Sequence, residues 1–265
     1  TAPTYGGMRG NSETITGKAI KGIREKIIIA TKFGTDPATS RSAIKGGGTK
    51  QYIMGAVEES LERLDTDYID LYQMHFPDAE TPIEETLRTL EDLITSGKVR
   101  FIGASNFASW QISESGWTSL TNELNQFVSL QTRYSVLTRD IEKEILPACE
   151  KHQVSLLPYF PLESGLLTGK VTRDKEPPKG SRLALWKGAF TSEEKFNIID
   201  KLNDYGAEIG RNILEISLAW TAHRSQVGSV LVGATSPEQM IQNIDAISWD
   251  ISEKHIKAID EIVLG

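Results

Sequence analysis

Two apolar runs in this chain each close on a residue that can carry a proton. Lys26-Ile27-Ile28-Ile29-Ala30-Thr31-Lys32 ends in a lysine, and Ile69-Asp70-Leu71-Tyr72-Gln73-Met74-His75 ends in a histidine. Both read as buried parallel strands, and a turn and a helical pattern follow each. In βα architectures the chemistry gathers at the carboxyl ends of the strands. A lysine and a histidine delivered to one such face, with Tyr5 nearby, make a proton-transfer site.

The elements that must hold these residues alternate nearly end to end. Strand-like runs fall at Lys26–Thr31, Tyr68–His75, Val99–Gly103, Phe127–Gln131, Val154–Pro158 and Gly228–Val232. Between and after them, helical spacing is expected over Tyr52–Leu64, Ile83–Ser96, Ala108–Leu124, Ile141–His152, Glu193–Ile209, Ile213–Ala222, Pro237–Ala246 and Glu253–Val263. Strands spaced one helix apart imply βαβ units and a parallel sheet. An eight-stranded barrel needs two strands more than these six runs supply. The expectation is a single barrel domain over 1–265 that lacks its first two strands, with roughly 40 to 50 residues of the barrel lying ahead of Thr1. The stretch 170–189 is rich in Pro, Gly, Lys and Arg, and a loop of that length in a compact domain is usually a lid or a binding loop.

Bulk composition narrows the partners. Of 265 residues, 39% are hydrophobic and 25% charged, enough to bury one large core. A net charge of -7 disfavours nonspecific binding to nucleic acid or to an anionic membrane. The one cysteine, Cys149, sits in a helical pattern and forms no internal disulfide, so a cytoplasmic home is expected. No run of 18 apolar residues predicts a membrane helix. His152, His223 and His255 have no ligand spacing around them, and no metal site is expected.

The order of several motifs resembles the aldo-keto reductases along essentially the whole chain. They are Thr1-Ala2-Pro3-Thr4-Tyr5-Gly6, Ala30-Thr31-Lys32-Phe33-Gly34, the run from Ser60 through Asp78, and Gly97 through Phe107. They continue with Leu130-Gln131-Thr132-Arg133-Tyr134-Ser135, Tyr159 through Lys170, and Gly233 through Gln239. The branch it is most similar to includes bacterial general reductases and potassium-channel β-subunits. The resemblance implies a (β/α)8 barrel of the α/β class that binds NADPH without a glycine-rich Rossmann loop, and no G-x-G-x-x-G follows a strand here. It also implies a catalytic set of Asp, Tyr, Lys and His. Tyr5, Lys32 and His75 match three of these, and the aspartate is expected just ahead of Thr1.

The residue types suit carbonyl reduction. Hydride addition leaves a developing alkoxide that needs a proton and nearby positive charge. A phenol with a pKa of about 10 is a weak acid at neutral pH, and a cationic lysine beside it favours the phenolate. Lys32 would do this for Tyr5, while His75 orients the carbonyl oxygen.

By resemblance, Ser105, Asn106 and Gln131 match positions that hold the nicotinamide carboxamide, and Tyr159 the aromatic that stacks on its ring. Phe160, Leu162, Ser164 and Gly165 match the segment around the pyrophosphate, and Lys170 and Arg182 match basic positions for the phosphates. Gly233, Thr235, Ser236, Gln239, Gln242 and Asn243 match the segment for adenine and the 2'-phosphate. A helix N-terminus there favours an anion, and Ser236-Pro237 is equally an ordinary N-cap followed by proline. Thr235, Ser236 and Gln239 are neutral where many family members carry a cation; Arg182 could supply it, and NADP is preferred over NAD. Phe33, Phe76, Trp110, Trp186 and Phe190 are candidates to line a pocket for a small-molecule carbonyl substrate, with core packing as the alternative for each. The leading function is an NADPH-dependent carbonyl reductase; the alternative is a nicotinamide-binding regulatory protein like a channel β-subunit. Oligomeric state is not legible.

Overall fold

The structure is a computed structural model and describes residues 1–5, 8–39, 41–173, 177, 183–184 and 191–265. Helix α1 (Asn11–Ile20) precedes β1 (Ala30–Phe33). Then come α2 (Lys50–Leu64), β2 (Ile69–Met74), α3 (Ile83–Thr95), β3 (Val99–Ser105), α4 (Ser109–Thr121), β4 (Ser129–Arg133), α5 (Ile145–Lys151) and β5 (Ser155–Tyr159). Four helices follow among the described residues: α6 (Glu193–Ile209), α7 (Ile213–Ala222), α8 (Pro237–Ile247) and α9 (Glu253–Leu264). The strands neighbour one another in chain order. Pairing is parallel with Lys32 opposite Gln73, Gln73 opposite Gly103 and Ser105 opposite Gln131.

The chain divides into two compact units, Thr1–Gln131 with Glu144–Ser155, and Thr132–Lys143 with Leu156–Gly265. In the first, α2 starts where the Thr49 side chain accepts from the Tyr52 amide, and it ends at Asp65 in a left-handed conformation. Its Ile53, Val57, Leu61 and Leu64, and Leu87, Leu90 and Leu93 of α3, are all buried. That spacing is one face of a 3.6-residue period, and each such side chain contributes about 1.5–3 kcal/mol on burial. Gly103, in mid-β3, faces Ser129 so closely that a Cβ would stand 2.6 Å from its Oγ, so the sheet there admits only glycine without adjustment.

In the second unit α7 begins with a reciprocal capping box between Asn212 and Glu215. It buries Ile213, Ile216, Leu218 and Trp220, and the Trp220 indole N–H donates to Asp260 at 2.9 Å.

The sequence expectation needs correction at four places. The first strand starts at Ala30, not Lys26: residues Arg24–Lys26 form a 3-10 turn and Ile28 is 81% exposed. Arg24 donates to the carbonyls of Ile27 and Tyr68, and Asp70 takes the Ile29 amide, so side chains claim the backbone ahead of the ladder. The run Gly228–Val232 forms no described strand; only isolated bridges, Leu156 with Val227 and Tyr159 with Leu231, mark that side. The region 141–152 is a 3-10 turn at Asp140–Glu142 followed by the short α5. Helix α1 carries too few apolar residues to announce itself, and Gly17 lets it approach the backbone of Leu64, where a Cβ would lie 2.6 Å from the carbonyl oxygen.

Candidate active site

The candidate chemistry lies in the first unit, where β1 and β2 end. Parallel pairing carries one step past the ladder, with the His75 amide donating to the Phe33 carbonyl at 2.8 Å. His75 is only 5% exposed. Its Nε2 lies 3.4 Å from the Tyr5 hydroxyl, and its Nδ1 lies 2.5 Å from the Thr35 hydroxyl. Phe76 stacks on the imidazole at 4.8 Å between centroids, and Tyr5 meets it edge-on at 5.7 Å. Tyr5 is 40% exposed, on a turn held by its amide donating to the Ala2 carbonyl. Lys32 is 4% exposed; its Nζ donates to the Thr1 carbonyl at 3.4 Å and lies 5.0 Å from the centroid of the Tyr5 ring. Tyr5, Lys32 and His75, separated by up to 70 residues in the chain, thus stand together.

Their charge states follow from burial. Loss of water lowers the Lys32 pKa to about 8, still charged at neutral pH. Burial, then the Lys32 charge, lowers His75 to about 3, so the imidazole is neutral.

Asn106 ties three strand ends together. It sits at φ 59°, donates its amide to the Gln131 carbonyl at 3.0 Å, and donates Nδ2 to the His75 carbonyl and the Ser105 hydroxyl. Asparagine tolerates the left-handed region better than most residues. Ser105 and Gln131 are buried beside it. Two side-chain amides and a hydroxyl supply donors and acceptors in the combination a carboxamide requires, so this set fits the nicotinamide group that the resemblance implies.

In the second unit, Tyr159 closes β5 and packs edge-on against Phe160 at 5.2 Å. The chain then turns through left-handed residues, Phe160 at φ 57°, Glu163 at 47°, Ser164 at 58° and Gly165 at 109°. Leu162 lends its carbonyl to the amides of Gly165 and Leu167. The strain is held by Glu163, a fully buried carboxylate that accepts from Arg133, Ser135, Thr138 and Lys195. Among the described residues the Ser164 Oγ is buried with no hydrogen-bond partner, and a Cβ on Gly165 would meet open space. A buried hydroxyl on such a turn suits an anionic oxygen.

Ser236 caps α8 by accepting from the Gln239 amide, and the Gln239 side chain accepts from Thr235. Gln242 is exposed and Asn243 buried on the same helix; Gly233 and Lys170 are exposed. Phe33 is a core residue rather than a lining one: it is 1% exposed and packs on Tyr72 at 4.7 Å. Trp110, in the first turn of α4, is 63% exposed. Arg182, Trp186 and Phe190 lie outside the described residues. Sequence reasoning missed Thr35 and Glu163. Thr35 lies three residues beyond Lys32 on the same strand exit, which was the available signal; nothing in the sequence marks Glu163 as buried. Among the described residues no helix is long and apolar enough to cross a membrane, and no cluster of His, Cys, Asp and Glu could hold a metal ion.

At the carboxyl ends of this parallel βα sheet a tyrosine, a buried lysine and a neutral histidine thus stand beside side-chain amides. The chain belongs to the aldo/keto reductase family, whose model matches residues 1–264. It is 35% identical over 268 residues to the NADH-specific methylglyoxal reductase of Escherichia coli strain K12, covering 96% of this chain and 79% of that protein. It is 32% identical over 269 residues to the aldo-keto reductase YhdN of Bacillus subtilis strain 168, covering 99% and 78%. A Schizosaccharomyces pombe protein named for a voltage-gated potassium channel subunit beta is 31% identical over 281 residues, covering 99% and 79%. The family fold is the (β/α)8 barrel, to which the five-stranded parallel sheet belongs.

Proposed function

We propose that this chain reduces aldehyde, ketone or sugar-like carbonyls to alcohols with NADPH, Tyr5 being the proton donor. The observation that carries this reading is the meeting of Tyr5, Lys32 and His75 at the ends of β1 and β2, since a binding module needs no proton relay. When bound, the dinucleotide supplies the hydride that reaches the carbonyl carbon. Tyr5 gives its hydroxyl proton to the carbonyl oxygen. The Lys32 ammonium stabilises the phenolate left behind, and Thr1 and the Tyr5 ring hold it in place. His75 orients the oxygen, and Ser105, Asn106 and Gln131 hold the carboxamide. Lys170 and Arg182 are the cations that favour NADPH.

One observation favours NADH as a second reading. The first turn of α8 carries Glu238 and no cation, and Gln239 is already engaged by Thr235. A carboxylate there would repel a 2'-phosphate. The E. coli relative is named for NADH.

The test follows consumption of NADPH and NADH with 4-nitrobenzaldehyde beside Tyr5→Phe. The expected result is turnover that falls in the variant by about 10²–10⁴-fold with dinucleotide binding retained. The ratio of kcat/KM for the two dinucleotides decides between them. Dinucleotide binding with no turnover by the unaltered protein would replace this reading with the regulatory one.

A further inference from the structure

A neutral imidazole has one N–H and one lone pair, and whichever role one nitrogen takes, the other takes the opposite. The role of His75 Nε2, which faces Tyr5, is therefore decided at Nδ1. There the Thr35 hydroxyl lies 2.5 Å away. Thr35 is 5% exposed, and among the described residues Nδ1 is the only partner of its Oγ. Were the hydroxyl to accept from Nδ1, its own proton would be buried without an acceptor, an arrangement native interiors avoid. The hydroxyl proton therefore points at Nδ1.

We infer that Thr35 is a positioning residue for the reductase reaction: its hydroxyl donates to His75 Nδ1, fixes the Nε2-protonated tautomer, and so presents a donor toward the carbonyl oxygen. The surroundings leave the ring little choice. Phe76 covers one face, the Phe33 carbonyl and the Asn106 amide clamp the His75 backbone, and Thr35 is itself held by an antiparallel bridge to Ala43. Burial beside Lys32 keeps the ring neutral, which is what makes the tautomer matter. With the opposite tautomer, Nε2 would be an acceptor and would compete with the substrate for the Tyr5 proton.

The kinetic part rests on the reductase reading, while the tautomer is a property of the ring alone. Long-range proton–nitrogen NMR of the imidazoles, assigned with His75→Asn, reads the tautomer directly in the unliganded protein. The expected result is an unprotonated Nδ1 and a protonated Nε2, with the preference weakened in Thr35→Val and restored in Thr35→Ser. Thr35→Val should lower kcat about tenfold or more while dinucleotide KM stays within about twofold, and Thr35→Ser should recover kcat. A protonated Nδ1 in the unaltered protein overturns the inference, as does a Thr35→Val enzyme with unchanged kcat. If the unaltered protein turns over no carbonyl, the reductase reading fails, and the spectra still decide the tautomer. Should Thr35→Val not fold, the unaltered protein and Thr35→Ser decide it.

Discussion

His75 carries a cost in acid that follows from its burial. Its folded pKa of about 3 lies below the ordinary 6.5. As pH falls from 6.5 toward 3, the unfolded chain takes up a proton that the native ring refuses, so stability declines through that window and levels off below it. Between pH 6.5 and 5 few carboxylates titrate, so comparison with a variant lacking the ring isolates the histidine's share. The melting temperature should therefore fall over this interval in the unaltered protein and fall less in His75→Gln. Equal slopes by calorimetry would mean that the ring is hydrated in the native state. The same burial explains what was legible at this scale. Lys32 and His75 stand out because each ends a recognisable run, and Tyr5 because it lies in the motif Thr1-Ala2-Pro3-Thr4-Tyr5-Gly6. Thr35 matters only through an atom of His75, and Glu163 only through four donors brought in from distant segments. Phe33 misled because an aromatic beside a strand-end lysine reads the same whether its strand turns it toward the pocket or the core.

Among the elements, the alternation of parallel strands with helices was legible because the apolar period is long and regular in helices such as α2 and α3. The boundaries were not, because polar side chains set them. Asp70 shows how. It lies in β2 with its side chain 7% exposed, pairs with Arg24 at 2.8 Å and Arg100 at 2.9 Å, and accepts the Ile29 amide. A sequence pattern sees Ile27-Ile28-Ile29 as strand; Arg24 takes the Ile27 carbonyl and this carboxylate the Ile29 amide, so of these residues only the Ile29 carbonyl bonds to the backbone of β2. Asp70→Asn keeps an acceptor for Ile29 but leaves Arg24 largely buried with no countercharge. Its expected cost is about 3 kcal/mol, the range for breaking a buried pair. Amide exchange should quicken first at Ile29 and at Leu71, which donates to the Ile29 carbonyl. Uniform quickening across β3 and β4 would show instead that Asp70 supports the whole sheet. The run at Gly228–Val232 failed for a different reason: it is mostly exposed and, among the described bonds, only its Gly228 and Leu231 amides donate to β5, at Leu156 and Pro158, so apolar character alone did not complete a ladder.

For the whole molecule, acid brings two separate losses into one pH range. The chain carries -7 at pH 7 and its isoelectric point is near 5.3. Approaching that pH removes the repulsion that keeps copies apart. Exposed apolar side chains then offer contact, Trp110, Trp117 and Leu120 on α4 and Ile241 and Ile244 on α8. Over the same interval the neutral His75 erodes stability. The two effects separate in His75→Gln, which removes the histidine term and leaves native net charge unchanged, because the folded ring is uncharged there. Turbidity should therefore peak near pH 5.3 in both proteins, with helical circular dichroism retained in the resolubilised material, while only the unaltered protein shows the steeper fall in melting temperature. A turbidity peak that moves to lower pH in the variant, in step with its unfolding transition, would show that acid precipitation follows exposure of the core and not loss of charge.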